Sequence, residues 1–277
     1  MNKYHVGIIG LGVVGKGIEK LLKTDVIAIY DPATEYKDKD AFKECDLIVI
    51  SVPTPYVDGV GCDTRIVESS LSWAFEINKE AVYLIKSAVV PSEVLRFKYQ
   101  FNGIRLVVSP EYMGESKYFT PEWKYPHPER MESHTWQVYG GEKKDTSFVV
   151  DCFKRRMGVD TQHIQTTLMT ASLCKYIENT FFATKVTFSN EVYDLANLYG
   201  VDYNELRECW LADPRVNRNH TLVFPESRGY GGKCFPKDLK ALIKDAEGRG
   251  YSADLLKAVD RANEKFTGYN NETAHTE

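Results

Sequence analysis

From residue 4 to about 165, short apolar runs rich in β-branched residues alternate with amphipathic stretches. Runs at 4–10, 26–30, 46–52, 81–86, 104–109 and 135–140 read as strands, and segments 14–23, 64–78, 91–100 and 144–157 carry apolar residues at helical spacing. Thr64 and Ser92, the latter just after Pro91, stand near two of the helix starts. Strands alternating with helices predict an α/β class fold, a doubly wound and mostly parallel sheet with helices on its faces. At Leu168 the alternation stops. A helical stretch without Pro or Gly runs to Leu198 and ends at Gly200, a second helix is expected near 202–211, and two more near 236–248 and 252–267. Between them lies a loop rich in Gly, Pro and Arg, from Asp213 to Phe235. The change of period divides the chain at 167/168, into residues 1–167 and an all-α domain, 168–277, built on a long central helix.

Composition narrows the classes. A chain of 277 residues can bury two cores without disulfides or metals. Its 43% hydrophobic and 27% charged residues are those of a globular protein. The net charge of −4, with no stripe of Lys and Arg, argues against nucleic acid as a partner. Apolar runs break within about ten residues, against the roughly 20 needed to span a bilayer. Met1-Asn2-Lys3-Tyr4-His5 runs straight into a strand pattern without a secretory leader, so a cytoplasmic location away from membranes is expected. The cysteines, at 45, 62, 152, 174, 209 and 234, form no C-x-x-C pair and read as reduced thiols. The histidines lack metal-ligand spacing, and His127 and His134 fall in a polar, Pro-rich stretch that reads as loop. No metal is expected.

The first strand ends in Gly10-Leu11-Gly12-Val13-Val14-Gly15 and a helix follows at once. A bare backbone lets a pyrophosphate approach, and the helix N-terminus supplies unpaired N–H donors and a positive dipole end. Asp31 ends the second strand about 20 residues on, where a carboxylate accepts from the adenosine ribose hydroxyls. A 2′-phosphate would meet that charge, so NAD is expected rather than NADP. The sheet is therefore read as Rossmann-type, with Gly10, Gly12, Val14, Gly15 and Asp31 at the cofactor.

Gly229-Tyr230-Gly231-Gly232-Lys233-Cys234-Phe235-Pro236-Lys237-Asp238 is the most informative stretch. The glycines let the backbone press against a ligand, and Pro236 is suited to open a helix. Cys234 then stands just before a helix N-terminus with Lys233 and Lys237 nearby, conditions that lower a thiol pKa and prepare a nucleophile. A small buried residue in a turn is the bland alternative, which the flanking glycines, lysines and aspartate disfavour.

The same stretch resembles the nucleophile segment of the UDP-glucose/GDP-mannose dehydrogenase family. Ser109-Pro110-Glu111-Tyr112-Met113-Gly114-Glu115-Ser116 is similar to the family's S-P-E-F-L-R-E-S, and Lys175 with Asn179 to its K-x-x-x-N. Val52-Pro53-Thr54-Pro55 and Lys86-Ser87-Ala88 resemble two cofactor-side loops, and the motifs follow the family's order from residue 4 to about 240. The resemblance implies NAD-dependent oxidation of the C6 alcohol of a nucleotide sugar, UDP-glucose first among candidates, to a carboxylate through a Cys234 thiohemiacetal and thioester. It implies catalytic roles for Cys234, Lys175, Asn179, Glu115 and Asp238. It adds Thr54, Glu115 and Lys237 to the cofactor set, and implies substrate contacts from Glu111, Lys175, Asn179, Arg215, Tyr230 and Gly231. A homodimer is implied, with Arg215 resembling an arginine that reaches across the dimer to substrate.

Read without the family, Lys175 and Asn179 share one helix face, where they could meet one oxygen or form a surface pair with Lys175 against Glu178. Glu111 and Glu115 follow a strand end, as base, as water-ordering group, or as solvated loop residues. Asp238 suits the first turn of any helix. Three features depart from the family pattern: Ala88 replaces a threonine, Gly114 an arginine, and Arg228 an aromatic residue. The family's third, α/β domain has no counterpart in these residues, so a short form is expected. A silent NAD- or nucleotide-sugar-binding protein stays open as an alternative. So does a β-hydroxyacid dehydrogenase-like enzyme, which would need no thiol at Cys234.

Overall fold

Apolar residues on successive strand positions point to opposite faces, so a strand apolar throughout must be covered on both. The computed structural model, which describes residues 4–112 and 131–273, shows this in β1 (Val6–Ile9) and β3 (Leu47–Ile50), while the edge strand β2 (Val26–Tyr30) leaves Ile27 exposed. A two-stranded hairpin, β4 (Tyr56–Val57) and β5 (Gly61–Cys62), precedes β6 (Val82–Ile85) and β7 (Arg105–Val108). Leu47 and Val49 join one core cluster while Ile48 and Ile50 join the other, and Val82 and Leu84 oppose Tyr83 and Ile85 in the same way. Helices α1 (Val13–Leu21), α2 (Arg65–Ile77) and α3 (Pro91–Gln100) connect these strands. After β8 (Trp136–Gly141) come α4 (Lys143–Lys154) and β9 (Gln162–Thr166). The main sheet has seven strands in the order β2-β1-β3-β6-β7-β8-β9, parallel except that β8 runs against β7.

Register matters for function. Ile9 pairs with Ile50, Ile50 with Ile85, and Ile85 with Val108, so four strands finish level. The turns that follow, beginning at Gly10, Ser51, Lys86 and Ser109, therefore share one edge, the edge at which doubly wound sheets bind ligands.

The chain divides into two compact units, Met1–Lys175 and Tyr176–Glu277, and the divide falls within α5 (Leu168–Leu198). Unit 2 consists of the rest of α5 with α6 (Tyr203–Leu211), α7 (Phe235–Gly248) and α8 (Asp254–Thr273). Gly200 takes a positive φ of 67° that ends α5, as its position suggests, and the Asp202 carboxylate caps α6 by accepting from the Glu205 N–H at 2.8 Å. Ala183, Tyr230, Leu239 and Val259 form a core cluster, with Phe235 packed against it.

The fold class agrees with the expectation, and three local features were not anticipated. Strand β9, Gln-His-Ile-Gln-Thr, was not anticipated because an edge strand half open to water carries no apolar run. Two-residue strands β4 and β5 are too short to show a period. His134 lies in the loop before β8, as its stretch suggests, yet it is buried, 2% exposed. His127 lies outside the described residues.

Candidate active site

Close backbone approaches shape the glycine turn. Gly10 has φ +91°, and a Cβ there would meet the Ser51 carbonyl oxygen at 2.8 Å. A Cβ on Gly15 would meet the Gly10 carbonyl oxygen at 2.0 Å, so this glycine is required by the close approach of helix to strand. Gly12 caps α1 with φ −73°, and a Cβ there would meet nothing within 4 Å. None of the described residues requires glycine at position 12, and the open space in front of it is what a bound pyrophosphate needs. Val14, on the first turn of α1, is half-buried, and the N–H groups of that turn have no acceptor within the helix. Asp31 accepts from the Leu11 N–H at 2.6 Å and the Ala33 N–H at 2.8 Å, fixing the turn while its carboxylate keeps lone pairs for a ribose. These residues fit a dinucleotide.

The neighbouring turns are cross-stitched. The Thr54 hydroxyl donates to the Ala88 carbonyl at 2.8 Å and the Ser87 hydroxyl to the Val52 carbonyl at 2.7 Å. Beside them lies a buried charged cluster. The Lys86 ammonium is 3.2 Å from Glu111 Oε2, 3.5 Å from Ser109 Oγ and 3.4 Å from Gln137 Oε1. Glu111 Oε1 accepts from the Tyr112 N–H at 2.9 Å and lies 3.7 Å from His134 Nδ1. Burial pushes the Glu111 carboxyl up, but Lys86, His134 and the Tyr112 N–H outweigh it and hold the group below the usual carboxylate range. Burial lowers the Lys86 pKa against the pull of Glu111, and Lys175 adds to the lowering. Lys175 is 9% exposed, with its ammonium 5.0 Å from the centre of the Tyr112 ring. Neither Lys175 nor Glu111 is the solvated residue that the bland readings required.

In unit 2, Cys234 caps α7 and its carbonyl accepts the first helical bond, from the Asp238 N–H at 2.9 Å. Its half-buried side chain therefore stands at the positive end of the α7 dipole. No disulfide engages it or any of the other five cysteines. Asp238 is 1% exposed, accepting from Asn179 Nδ2 at 2.6 Å and from Lys237 Nζ at 2.5 Å. Thus Asn179, Asp238, Lys237 and Cys234 form one constellation, with Asn179 3% exposed on α5.

The glycine loop before Cys234 is held by two residues that sequence reasoning missed. Asn263 Oδ1 accepts from the Tyr230 N–H at 2.7 Å and its Nδ2 donates to the Tyr230 carbonyl at 3.0 Å. Asn190 Oδ1 accepts from the Gly229 N–H at 3.1 Å and from Arg228 Nε at 2.7 Å. Asparagine is a poor residue for a helix interior, and that was the available signal. The Tyr230 ring is buried in the core of unit 2, leaving its backbone in the loop. Gly231 has open space where a Cβ would stand. Arg215 is 87% exposed in its side chain and pairs with Asp213. Glu115 lies outside the described residues. Among the described residues no group of three His, Cys, Asp or Glu is arranged to hold a metal, and no helix is long and apolar enough to cross a membrane.

Residues 169–265 match the model of the UDP-glucose/GDP-mannose dehydrogenase family, central domain. The UDP-glucose 6-dehydrogenase of Streptococcus pneumoniae is 27% identical over 272 residues, which are 92% of this chain and 62% of that protein. A UDP-glucose dehydrogenase structure from Pyrobaculum islandicum superposes with a TM-score of 0.76 at 25% identity, covering 95% of this chain and 68% of that one. Over most of its length the chain is similar to members of the UDP-glucose/GDP-mannose dehydrogenase family, whose central-domain model matches its helical part. It spans about half to three-fifths of the length of the curated relatives it matches. A Mycobacterium tuberculosis 3-hydroxyisobutyrate dehydrogenase shares the fold, with a TM-score of 0.73 at 14% identity.

Proposed function

We propose that the chain oxidises the C6 primary alcohol of a nucleotide sugar, UDP-glucose, to the carboxylate with NAD, using Cys234 as covalent catalyst. The observation that carries this reading is the α7 N-terminus, where a thiol, a buried aspartate, an asparagine amide and a lysine converge within one turn of helix. When bound against Gly10, Gly12, Val14, Gly15, Asp31 and Thr54, NAD supplies the two-electron oxidations. The residues of the chain manage the substrate and its protons.

The alcohol proton passes to water or to a carboxylate, for which Glu111 and Glu115 are the candidates. The Cys234 thiolate adds to the aldehyde carbon, forming a C–S bond and an oxyanion, which Lys175 and Asn179 stabilise as cation and amide donor. After the second oxidation the sugar is held as a thioester. Water, ordered by Asp238 with Glu111 and Glu115, attacks that carbonyl, and the C–S bond breaks to release the acid and the thiol. Lys237 donates to Asp238 and flanks the cofactor, while the backbone at Tyr230 and Gly231 lines the sugar. Along α5 an exposed apolar stripe of Leu173, Ile177, Phe181, Phe188 and Leu195 suits a second copy of the helix, and a homodimer would let the exposed Arg215 reach the partner's substrate.

One observation favours a second reading, an NAD- and nucleotide-sugar-binding protein without turnover: Ala88 offers a methyl where the family has a hydroxyl. Incubation with NAD and a panel of UDP- and GDP-sugars separates the two. Two NADH per sugar supports the thioester route, one supports a simple alcohol oxidation, and none supports the binding protein. Cys234→Ser should halt the reaction before acid forms. Acid production at the parent rate would remove Cys234 from the mechanism.

A further inference from the structure

His134 is a buried titratable group that the proposed reaction does not use, and it closes a chain of polar contacts that ends on Glu111. Gln137 Nε2 lies 3.0 Å from His134 Nδ1, while Gln137 Oε1 lies 3.4 Å from the Lys86 ammonium. Lys86 only donates, so the amide oxygen must face it and the amide NH2 must face the imidazole. His134 Nδ1 is then the acceptor, and the proton of a neutral ring sits on Nε2, which has no hydrogen-bond partner among the described residues.

We propose that His134 is a positioning residue: its neutral imidazole locks the Gln137 amide so that the amide oxygen, with Ser109, keeps the Lys86 ammonium seated on Glu111. The proposal rests on the reading of Glu111 as a carboxylate that acts in the oxidation. A buried ammonium survives only while its three N–H bonds have acceptors. Lys86 has three, on Glu111, Ser109 and Gln137. With the imidazole gone, or protonated at Nδ1, the amide turns over and presents its NH2 to the ammonium. Lys86 then loses its charge more readily, and Glu111 loses the counter-charge that keeps it ionised. The groups facing His134 are Glu111 after β7, Lys86 after β6, Glu132 in the turn before it and Lys175 on α5. Burial holds the ring neutral, and Lys86 and Lys175 reinforce this against the two glutamates.

Three measurements on the full chain decide the matter. Imidazole 15N shifts at neutral pH should show His134 neutral with its proton on Nε2; a proton on Nδ1 overturns the proposal without any variant. Titration of the Glu111 carboxyl by 13C NMR should move up by about one pH unit in His134→Leu and in Gln137→Met. The double variant should add nothing to either single change. His134→Asn, which places an acceptor oxygen where Nδ1 sits, should restore the native titration. A folded His134→Leu protein with an unmoved Glu111 titration, or additive single effects, overturns the relay. With UDP-glucose and NAD, kcat should fall by roughly tenfold or more in His134→Leu at unchanged KM for NAD, and recover in His134→Asn. Absence of turnover in the parent chain would sink the proposed activity alone, because the NMR readouts do not depend on it.

Discussion

Gly12 and Gly15 occupy one turn for different physical reasons, and substitution separates them. A methyl on Gly15 collides with a backbone oxygen 2.0 Å away, so Gly15→Ala should lower the melting temperature by several degrees. Gly12→Ala meets open space at an ordinary φ and should melt as the parent does, yet weaken NAD binding about tenfold by calorimetry, since its methyl stands where a phosphate would press. Equal effects on folding and binding at both positions would contradict this assignment. Asp238 tests the thiol's neighbourhood. Asp238→Asn keeps the shape but removes the acceptor charge from Lys237 and sets an amide against the Asn179 amide. It should cost roughly 1.5–3 kcal/mol in a urea titration, along with the hydrolytic step. At this scale the sequence made the glycine turn and the α7 N-terminus legible, because glycine, cysteine and lysine at fixed spacing mean much the same on any backbone. It was silent about His134 and Gln137, whose polar side chains acquire a role only when β8 brings them beside Lys86.

At the scale of elements, the loop that presents Cys234 is shaped from outside itself. Asn263 on α8 satisfies both the N–H and the carbonyl of Tyr230, and Asn190 on α5 takes the Gly229 N–H. Asn263→Leu leaves two buried backbone groups unpaired at roughly 1–3 kcal/mol each, so it should destabilise unit 2 and lower kcat together. A variant that unfolds earlier in urea at undiminished kcat would show that the loop keeps its shape without this clamp. Elements with a strong period were legible: strands apolar throughout, and the long α5 ended by Gly200. Strand β9 was not, because its stability comes from pairing with β8 along Trp136–Gly140 rather than from an apolar face of its own.

For the molecule as a whole, pH dependence follows from buried imidazoles. His220, stacked on Phe182 with ring centres 4.2 Å apart, has its pKa lowered to about 4 by burial, with Lys185 adding to the effect. An unfolded histidine titrates near 6.5, so unfolding takes up a proton that the folded protein refuses. The stability from this group is therefore complete above about pH 6.5 and is lost as pH falls toward about 4, by at most about 1.4 kcal/mol per pH unit. His134 is shifted in the same direction and adds to the loss. Urea midpoints between pH 7 and pH 4 should fall less steeply in His220→Phe, which retains the stacking; an unchanged slope would exclude His220 as a source.

The sequence by itself determined the α/β class, the bare glycine turn after β1, the change to an all-α unit and the placing of Cys234 at a helix start. Those depend on local backbone freedom, on the period of apolar residues and on short spacings, which neighbours along the chain already contain. Only the tertiary structure decided that Lys86, Glu111, Gln137 and His134 share one buried cluster, and that Asn179 and Lys237 grip Asp238. Such contacts join residues up to 59 positions apart, and their energy comes from excluding water around charges, a condition that no single segment can create.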